Sequence, residues 1–583
     1  MPTWQELVAD KRARQADETP KDWLIVPPPT DRLNVVDFPR ECGLLSPKEI
    51  EITETSDVDV LLRNLASGVL SSVEVTTAFY KRAIIAHQTV NPLTEIFVKR
   101  ALARAKWCDD QLKASGRPIG PLHGLPISLK DQICINGLET SMGYVGWLGK
   151  PAEKDAILTE ILHNAGAVPF VRTNVPQTLM WGETYNHVFG RTLNPYNRKL
   201  TSGGSSGGEG ALIAMKGSPL GVGSDIGGSI RIPAAFCGIY GLRPSYNRIP
   251  YYGTLTSLEG QDSMPSVLGP MSDNLNGIKV FMKTVIDQKP WTKDPSAVHK
   301  PWIEEEYQLC EHGGGKKLVF GIMWNDGIIV PHPPIIRALE LTKKALLIAG
   351  HEVVDWVPHR HAEITRVVAE VFAACADEDS SEALKLTGEP LVHNMADVEF
   401  VSSDLPNDSI SAFQLWQIHK RKLALRKSYL DHWQATKAIT STGRPIDAII
   451  APVACGASMP HGENLQALLT LRGRVVAHVS PSYTQYTGVF NLLDYPSCVF
   501  PVTRVDPAID VKKRAHRFLN KRDERCYRLY DPELWRDAPV SLQLVGQSYE
   551  DEAVVAMTGI VDAALKAQKS TFSLDIPKAR SSL

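Results

Sequence analysis

Two glycine-rich segments of the sequence each carry a serine, and the two serines lie 24 residues apart. Ser205 is in segment 203–210, which reads GGSSGGEG, and Ser229 is in segment 225–233, which reads DIGGSIRIP. Glycine is costly inside helices and strands, so this density indicates a backbone that takes positive φ or closely approaches another group. A serine in such a loop can stand beside free N–H donors, which a nucleophile and an oxyanion hole require together. We therefore interpret both residues as candidate catalytic serines and not as parts of flexible surface turns.

Phosphate binding is the first alternative for glycine-rich segments. A phosphate loop would read GxxxxGK followed by Ser or Thr. Gly203 and Gly208 have this spacing, but Glu209 and Gly210 replace the lysine and the hydroxyl, and a carboxylate there would repel phosphate. The dinucleotide pattern GxGxxG also fails, because segment 221–226 reads GVGSDI and ends in isoleucine. Both phosphate-binding interpretations are weak.

A lysine offers the base that these serines would need. A conventional serine hydrolase would show a GxSxG turn with a histidine and an acid, but neither loop has this pattern and no histidine adjoins either one. Lys130 instead ends the apolar run 127–129, which is typical of a buried strand. A lysine held at the end of a buried strand is a candidate for a neutral amine. With Ser205 and Ser229, it completes a candidate proton relay.

The composition limits the classes of function. The chain has 583 residues, 43% of them hydrophobic, and a formal net charge of −2. It can bury a large core, and it lacks the basic excess of a dedicated nucleic-acid binder. No apolar run approaches the roughly 18 residues that span a bilayer, and the N-terminus has no secretory pattern. Nine scattered cysteines favour reduced thiols over a disulfide framework or a zinc site. We expect a cytoplasmic protein without an integral membrane segment.

Alternating strand and helix patterns predict an α/β fold. A capping box at 71–74 should open a long amphipathic helix. Further along the chain, a strand at 317–323, a helix at 334–349 and a strand at 352–356 form one repeating unit. Such alternation argues for a sheet with helices on both of its faces.

We predict one dominant catalytic domain at 76–565. A charged leader with short helices, residues 1–75, should pack on it, and residues 566–583 should form a C-terminal tail. The segment 512–528 carries eight basic residues against two acidic ones. We interpret this segment as a solvated surface insertion between two strands, with a nucleic-acid or membrane patch as the alternative.

The two serine loops and the lysine segment resemble the amidase signature family. The run 203–234 is similar to the signature itself, and segment 124–131, GLPISLKD, is similar to the lysine motif of the family. The resemblance extends from about residue 56 to about residue 564, and segment 4–14 resembles the leader of fungal acetamidases. It implies a three-layer α/β/α fold around a large twisted mixed sheet, and an enzyme that needs no metal or organic cofactor.

The resemblance also implies roles for individual residues. Ser229 would be the nucleophile, Ser205 a bridging serine held at a cis peptide, and Lys130 the base. The oxyanion hole would consist of the backbone N–H groups of Ile226, Gly227, Gly228 and Ser229. Asp225 and Arg231 flank the nucleophile loop and should pair to hold it in place. Met180, Trp181, Ser205 and Ser224 would contact the substrate.

Several substrates and assemblies stay open at the level of sequence. We expect hydrolysis of small monocarboxylic amides of the acetamide type, with a fatty acid amide hydrolase as the main alternative. A subunit of a tRNA-dependent amidotransferase, active only within a complex, is a further alternative. A binding protein without catalysis fits poorly, since such a protein has no use for a proton relay. A homodimer is compatible with the sequence, which does not define the oligomeric state.

Overall fold

The computed structural model describes residues 2–375, 378–392, 409–462, 467–471, 474–479 and 484–574. The helices are α1 Trp4–Asp17, α2 Phe38–Glu41, α3 Pro47–Glu54, α4 Val58–Ala66, α5 Ser72–Val90, α6 Val98–Ser115, α7 Ile157–Asn164, α8 Gly207–Ala214, α9 Arg231–Phe236, α10 Leu275–Asp287, α11 Glu304–Tyr307, α12 Pro333–Ile348, α13 His361–Ala373, α14 Glu378–Lys385, α15 Ala412–Ala435, α16 Gln485–Leu493, α17 Lys521–Leu529 and α18 Asp551–Leu574.

The strands are β1 Leu93–Ile96, β2 Pro126–Lys130, β3 Val168–Thr173, β4 Tyr185–Asn186, β5 Gly190–Arg191, β6 Gly221–Asp225, β7 Tyr240–Arg243, β8 Val267–Ser272, β9 Val319–Ile322, β10 Glu352–Asp355, β11 Ala448–Pro452, β12 Ala467–Leu471, β13 Arg474–Val479, β14 Ser497–Arg504 and β15 Pro539–Val545. Eleven of them form one sheet in the order β1-β3-β2-β6-β8-β7-β14-β15-β11-β9-β10. The β4–β5 and β12–β13 hairpins form two small sheets of their own.

The large sheet is mixed, and its parallel part positions the candidate site. Strand β2 pairs in parallel with both β3 and β6, whereas β6–β8 and β14–β15 are antiparallel pairs. Every residue of β2, β3 and β6 is buried, as expected for strands covered by helices on both faces. The predicted three-layer α/β/α fold is confirmed.

The predicted strand and helix elements also hold. Ser71 caps α5, and its hydroxyl accepts from the Glu74 N–H while the Glu74 carboxylate accepts from the Ser71 N–H, which is the predicted capping box. The predicted strand–helix–strand unit is present as β9, α12 and β10, in which β9 and β10 pair in parallel.

The ends of the chain and the basic segment complete the fold. Helices α1 to α4 form the expected helical N-terminal region. The basic segment 512–528 lies between β14 and β15 and includes most of α17, and most of its side chains are exposed. The last helix continues to Leu574, so residues 575–583 of the predicted tail lie outside the described residues. Within the described part of the chain, no helix combines the length and the apolar character needed to cross a bilayer.

Candidate active site

The ends of two parallel strands bring the lysine and the second glycine loop together. Lys130 is the last residue of β2, and Ser224 and Asp225 are the last residues of β6. Strands β2 and β6 pair in parallel, with Ser128 opposite Gly221, so both strands end at the same edge of the sheet. The carboxyl ends of parallel strands are where sheets of this class bind ligands.

The side chain of Lys130 is fully buried, at 0% exposure, and contacts two serine hydroxyls. Its Nζ lies 2.6 Å from Ser205 Oγ and 2.8 Å from Ser224 Oγ. The prediction that Lys130 ends a buried strand is therefore confirmed. A primary amine in this position can exchange hydrogen bonds with both hydroxyls at once.

Burial also changes the protonation of this amine. Loss of hydration lowers the pKa of Lys130 from 10.5 to about 7, although the carboxylates of Asp225, Glu209 and Asp131 act in the opposite direction. Desolvation disfavours the charged form of an amine, so the neutral form is well populated near pH 7. The side chain can therefore act as a base at neutral pH.

Ser205 is held between close backbone neighbours. The Gly204–Ser205 peptide bond is cis, and Ser205 is 2% exposed, just before α8 begins. A Cβ on Gly204 would lie 2.5 Å from the carbonyl oxygen of Trp181, so only glycine fits at this position. The segment that carries Ser205 is thus packed tightly against the segment that carries Trp181.

Ser229 lies in the loop between β6 and α9 and is half-buried. The two serine loops are in contact, because the Ser206 N–H donates to the Ser229 carbonyl oxygen at 3.2 Å. Among the described residues, the Ser229 hydroxyl has no hydrogen bond, and none joins it to the Ser205 hydroxyl. The hydroxyl of Ser229 is therefore without a hydrogen-bond partner in the described part of the chain.

An ion pair braces the loop that carries Ser229. The Arg231 guanidinium donates to Asp225 through Nε and Nη2, each at 3.0 Å, and both side chains are fully buried. Asp225 also accepts from Asn491 Nδ2 at 2.9 Å. Burial raises the pKa of Asp225, but the charge of Arg231 and these hydrogen bonds outweigh it and lower the pKa to about 2. The carboxylate therefore stays ionised across the neutral range.

The four backbone N–H groups predicted for an oxyanion hole differ in their hydrogen bonds. The Gly228 N–H donates to Asp225 Oδ1 at 2.8 Å, so it is already engaged. Those of Ile226, Gly227 and Ser229 have no acceptor among the described residues. Gly228 has a φ of +140°, a conformation that favours glycine. The loop thus presents three N–H groups near the half-buried serine.

A small cavity opens on Ser229 and has a volume of about 30 Å³. This is room for about two water molecules. It is lined by the two glycine loops, by the 179–182 segment and by side chains from α9, α13 and the start of α16: Leu179, Met180, Trp181, Gly182, Gly204, Ile226, Gly227, Ser229, Ile232, Phe372 and Thr484. Cavities of about 590 and 770 Å³ lie elsewhere, and none of the three candidate catalytic residues lines them.

The predicted substrate-contacting residues separate into two groups. Met180 and the nearly buried Trp181 line the cavity, whereas the Ser224 hydroxyl lies against Lys130 and Gln132. Sequence reasoning missed Gln132, which directly follows the lysine motif, and Phe372, which lies 143 residues beyond Ser229. Position alone could have drawn attention to Gln132. Nothing in the sequence around Phe372 indicates that it reaches the site.

A second carboxyl is buried beside the lysine. Glu209 of α8 accepts from Ser128 Oγ at 2.6 Å and from Thr173 Oγ1 at 2.9 Å, and Thr173 is the partner of Lys130 in the sheet. Burial raises the pKa of Glu209 to about 8, against the effect of these hydroxyls.

The described residues contain no group of three or more His, Cys, Asp or Glu side chains that could hold a metal ion.

Comparison with known proteins identifies the family. A family model described as Amidase matches residues 74–555, which is most of the chain. The chain belongs to the amidase family. Among amidase relatives, the acetamidase of Aspergillus oryzae is 41% identical over 97% of this chain and 99% of its own length. The acetamidase of Emericella nidulans is 42% identical over 95% of this chain and 97% of its own length.

One solved structure agrees with this family assignment, and a second one supports the fold. The structure of a fatty acid amide hydrolase matches with a TM-score of 0.85 at 32% identity, and the match covers 96% of this chain and 95% of that chain. A crystal structure described as an amidase matches with a TM-score of 0.60 at 22% identity, over 87% of this chain and 99% of that one, and supports the fold alone.

Proposed function

We propose that this protein is an amidohydrolase that cleaves the C–N bond of small monocarboxylic amides to a carboxylic acid and ammonia. The observation that carries the proposal is the buried Lys130 amine, 2.6 Å from Ser205 Oγ. A buried amine of lowered pKa beside a hydroxyl is the arrangement that activates a nucleophile by general base catalysis. The two acetamidase relatives support the substrate class.

The proposed reaction starts with a proton relay. Ser229 attacks the amide carbonyl carbon while its proton passes to Ser205 Oγ, and the Ser205 proton passes to the neutral amine of Lys130. The contact between the Ser206 N–H and the Ser229 carbonyl keeps the two loops adjacent for this transfer. Catalytic hydrogen bonds are often completed only when substrate binds, so the Ser229 hydroxyl is expected to turn toward Ser205 in the complex.

The same groups then release ammonia. A water molecule completes the cycle. The developing negative charge on the substrate oxygen meets the N–H groups of Ile226, Gly227 and Ser229, and each such donor contributes roughly 3 kcal/mol in comparable sites. In this proposal Gly228 shapes the loop through its bond to Asp225. Ser205 returns a proton to the leaving nitrogen, and an acyl-enzyme forms on Ser229. Water hydrolyses the acyl-enzyme by the same relay.

The size of the cavity favours short acyl groups. The cavity of about 30 Å³ at Ser229 has room for about two water molecules, so an acetyl group would already fill it and a long acyl chain would need displacement of its lining. A fatty acid amide hydrolase is the second candidate, because the solved structure of such an enzyme matches over nearly the whole chain. An amidotransferase subunit is a weaker third candidate. A cytoplasmic location and a homodimeric state stay predictions from the sequence.

A panel of amides of increasing length tests the proposal. Ammonia release by the purified protein should be fastest with acetamide or propionamide and should fall steadily toward hexanamide and oleamide. Because the cavity is small, we expect kcat/KM for acetamide to exceed that for oleamide by at least ~10²-fold. Preference for oleamide would favour the second candidate, and activity only in the presence of partner subunits would favour the third.

A further inference from the structure

Gln132 lies two residues beyond Lys130, is 1% exposed and uses both amide N–H groups and its amide oxygen in hydrogen bonds. Its Nε2 donates to the carbonyl oxygen of Leu255 at 2.6 Å and to the hydroxyl of Tyr251 at 3.1 Å. Its Oε1 accepts from Ser224 Oγ at 2.5 Å. A backbone carbonyl can only accept, so the atom facing Leu255 must be the amide nitrogen. Chemistry therefore fixes the orientation of this side-chain amide.

The orientation of Gln132 determines where the Ser224 proton points. An amide oxygen can only accept, so Ser224 must donate its single proton to Gln132. At its 2.8 Å contact with Lys130 Nζ, the Ser224 oxygen must then accept. The chain of donors therefore runs from Lys130 through Ser224 to Gln132.

A neutral amine has two N–H groups and one lone pair. Because Ser224 accepts, Lys130 uses one N–H group there, and its lone pair is not taken up by the Ser224 proton. Ser205 Oγ, 2.6 Å from Nζ, is the other hydroxyl within reach of the amine. The opposite arrangement, with Ser224 donating to the lone pair, would occupy the position that must receive the Ser205 proton.

We propose that Gln132 is a positioning residue that sets the direction of the proton relay, by holding Ser224 as an acceptor and leaving the Lys130 lone pair to Ser205. This inference rests on the proposed function, in which Lys130 is the base. The proton balance is complete within the relay: Ser205 loses a proton to Nζ, gains one from Ser229, and the resulting ammonium keeps Ser224 and Ser205 as acceptors. Gln132 does not exchange a proton.

The charges around Lys130 come from three neighbouring carboxyl groups. Asp225 is paired with Arg231, and Asp131 is paired with Arg172 at 3.2 Å. Glu209 is bonded to the hydroxyls of Ser128 and Thr173. Replacement of Gln132 by an apolar residue changes none of these charges.

That apolar replacement should instead change the direction in which Ser224 donates. In Gln132→Met the Ser224 proton loses its acceptor and can turn to the amine lone pair. Ser224→Ala removes that proton altogether.

A double-mutant cycle tests the proposal with acetamide as substrate. Gln132→Met should lower kcat by ~10–100-fold and leave KM within about threefold, because a positioned general base contributes about 10²-fold or more. In the Ser224→Ala background the same substitution should lower kcat by no more than about threefold, since the proton that it misdirects is gone. If Gln132→Met lowered kcat by the same factor in the wild-type and Ser224→Ala backgrounds, or did not lower it at all, the proposal would be overturned.

One further variant separates this role from a structural one. Tyr251→Phe removes one acceptor of the Gln132 amide N–H groups but keeps the amide oxygen toward Ser224, so kcat should stay within about threefold. A loss of kcat in Tyr251→Phe as large as that in Gln132→Met would contradict the proposal. Wild-type turnover and its loss in Ser229→Ala measure the underlying function independently.

Discussion

Lys130 Nζ and Ser205 Oγ lie 2.6 Å apart at the carboxyl edge of the mixed sheet, and both side chains are buried. Strand β2 supplies the amine, and the loop before α8 supplies the hydroxyl. A lysine in water would be charged at neutral pH, whereas this one is desolvated and, among the described residues, hydrogen-bonded only to hydroxyls. The amine can therefore receive a proton from Ser205, on which the proposed chemistry depends.

Ser229→Ala should abolish turnover and preserve the fold. The half-buried side chain makes no hydrogen bond within the described residues, so its removal should change the melting temperature by less than about 2 °C. Loss of a nucleophile in a comparable relay lowers kcat by about 10⁶-fold. Ammonia release and thermal unfolding should be measured on the same preparation. Residual activity above a few per cent would assign the nucleophile to another residue.

Asp225→Asn should reduce both stability and activity. It leaves the Arg231 guanidinium buried without its counter-charge, and breaking a buried pair in this way costs about 3–5 kcal/mol. It also weakens the bond that holds the Gly228 N–H, so kcat should fall as the loop loses its shape.

The matched control for that prediction is Asp510→Asn. Asp510 pairs with Arg337 through two bonds of 2.7 Å and is not among the residues that line the Ser229 cavity. The Asp510→Asn variant should be less stable than the wild type, and its kcat should stay within about twofold of the wild-type value. Equal losses of kcat in the two variants would show that Asp225 affects activity only through general stability.

Phe372→Ala should extend the range of acyl groups. The ring lines the Ser229 cavity, and its Cζ lies 3.9 Å from the position that a Cβ on Gly227 would take. A methylene group in a fitted pocket changes kcat/KM by ~10–200-fold. The ratio of kcat/KM for hexanamide to kcat/KM for acetamide should therefore rise by at least tenfold.

Val368→Ala is the control for the acyl pocket. Val368 lies one turn earlier on α13, is buried near Gly488 and does not line the cavity. In Val368→Ala the ratio of kcat/KM for hexanamide to kcat/KM for acetamide should stay near that of the wild type. A ratio that rises equally in both variants would show that loosening of α13, and not the removal of the ring, admits the longer chain.

Local sequence patterns predicted the parts of the site that lie within single segments. The apolar run before Lys130 predicted its buried strand. The glycine loops around Ser205 and Ser229 predicted close backbone approach, and a Cβ on Gly204 would indeed lie only 2.5 Å from the Trp181 carbonyl oxygen. These features depend on nearby residues alone, so the sequence contains them.

Contacts between distant segments were not predictable in the same way. Asn491 donates to Asp225 from 266 residues away, and Phe372 reaches the cavity from a helix outside both motifs. These positions depend on how α13 and α16 pack on the sheet, and no periodicity in either helix encodes a contact with the loop. The direction of the hydrogen bonds around Gln132 likewise depends on a carbonyl that only the fold brings near.

The pH dependence of kcat/KM for acetamide measures the protonation of the base in the free enzyme. Acetamide does not ionise in this range, so the profile belongs to the enzyme. Because the neutral amine is the active form and the pKa of Lys130 is about 7, kcat/KM should rise about tenfold per pH unit below pH 7 and level off above it. In Glu209→Gln the rise of kcat/KM with pH should remain and should occur at the same or a lower pH. A nearby anion can only raise the pKa of the amine, and this variant removes the carboxyl group that could supply one. A profile that is flat down to pH 5, or whose rise lies near pH 10, would contradict a neutral Lys130 as the base.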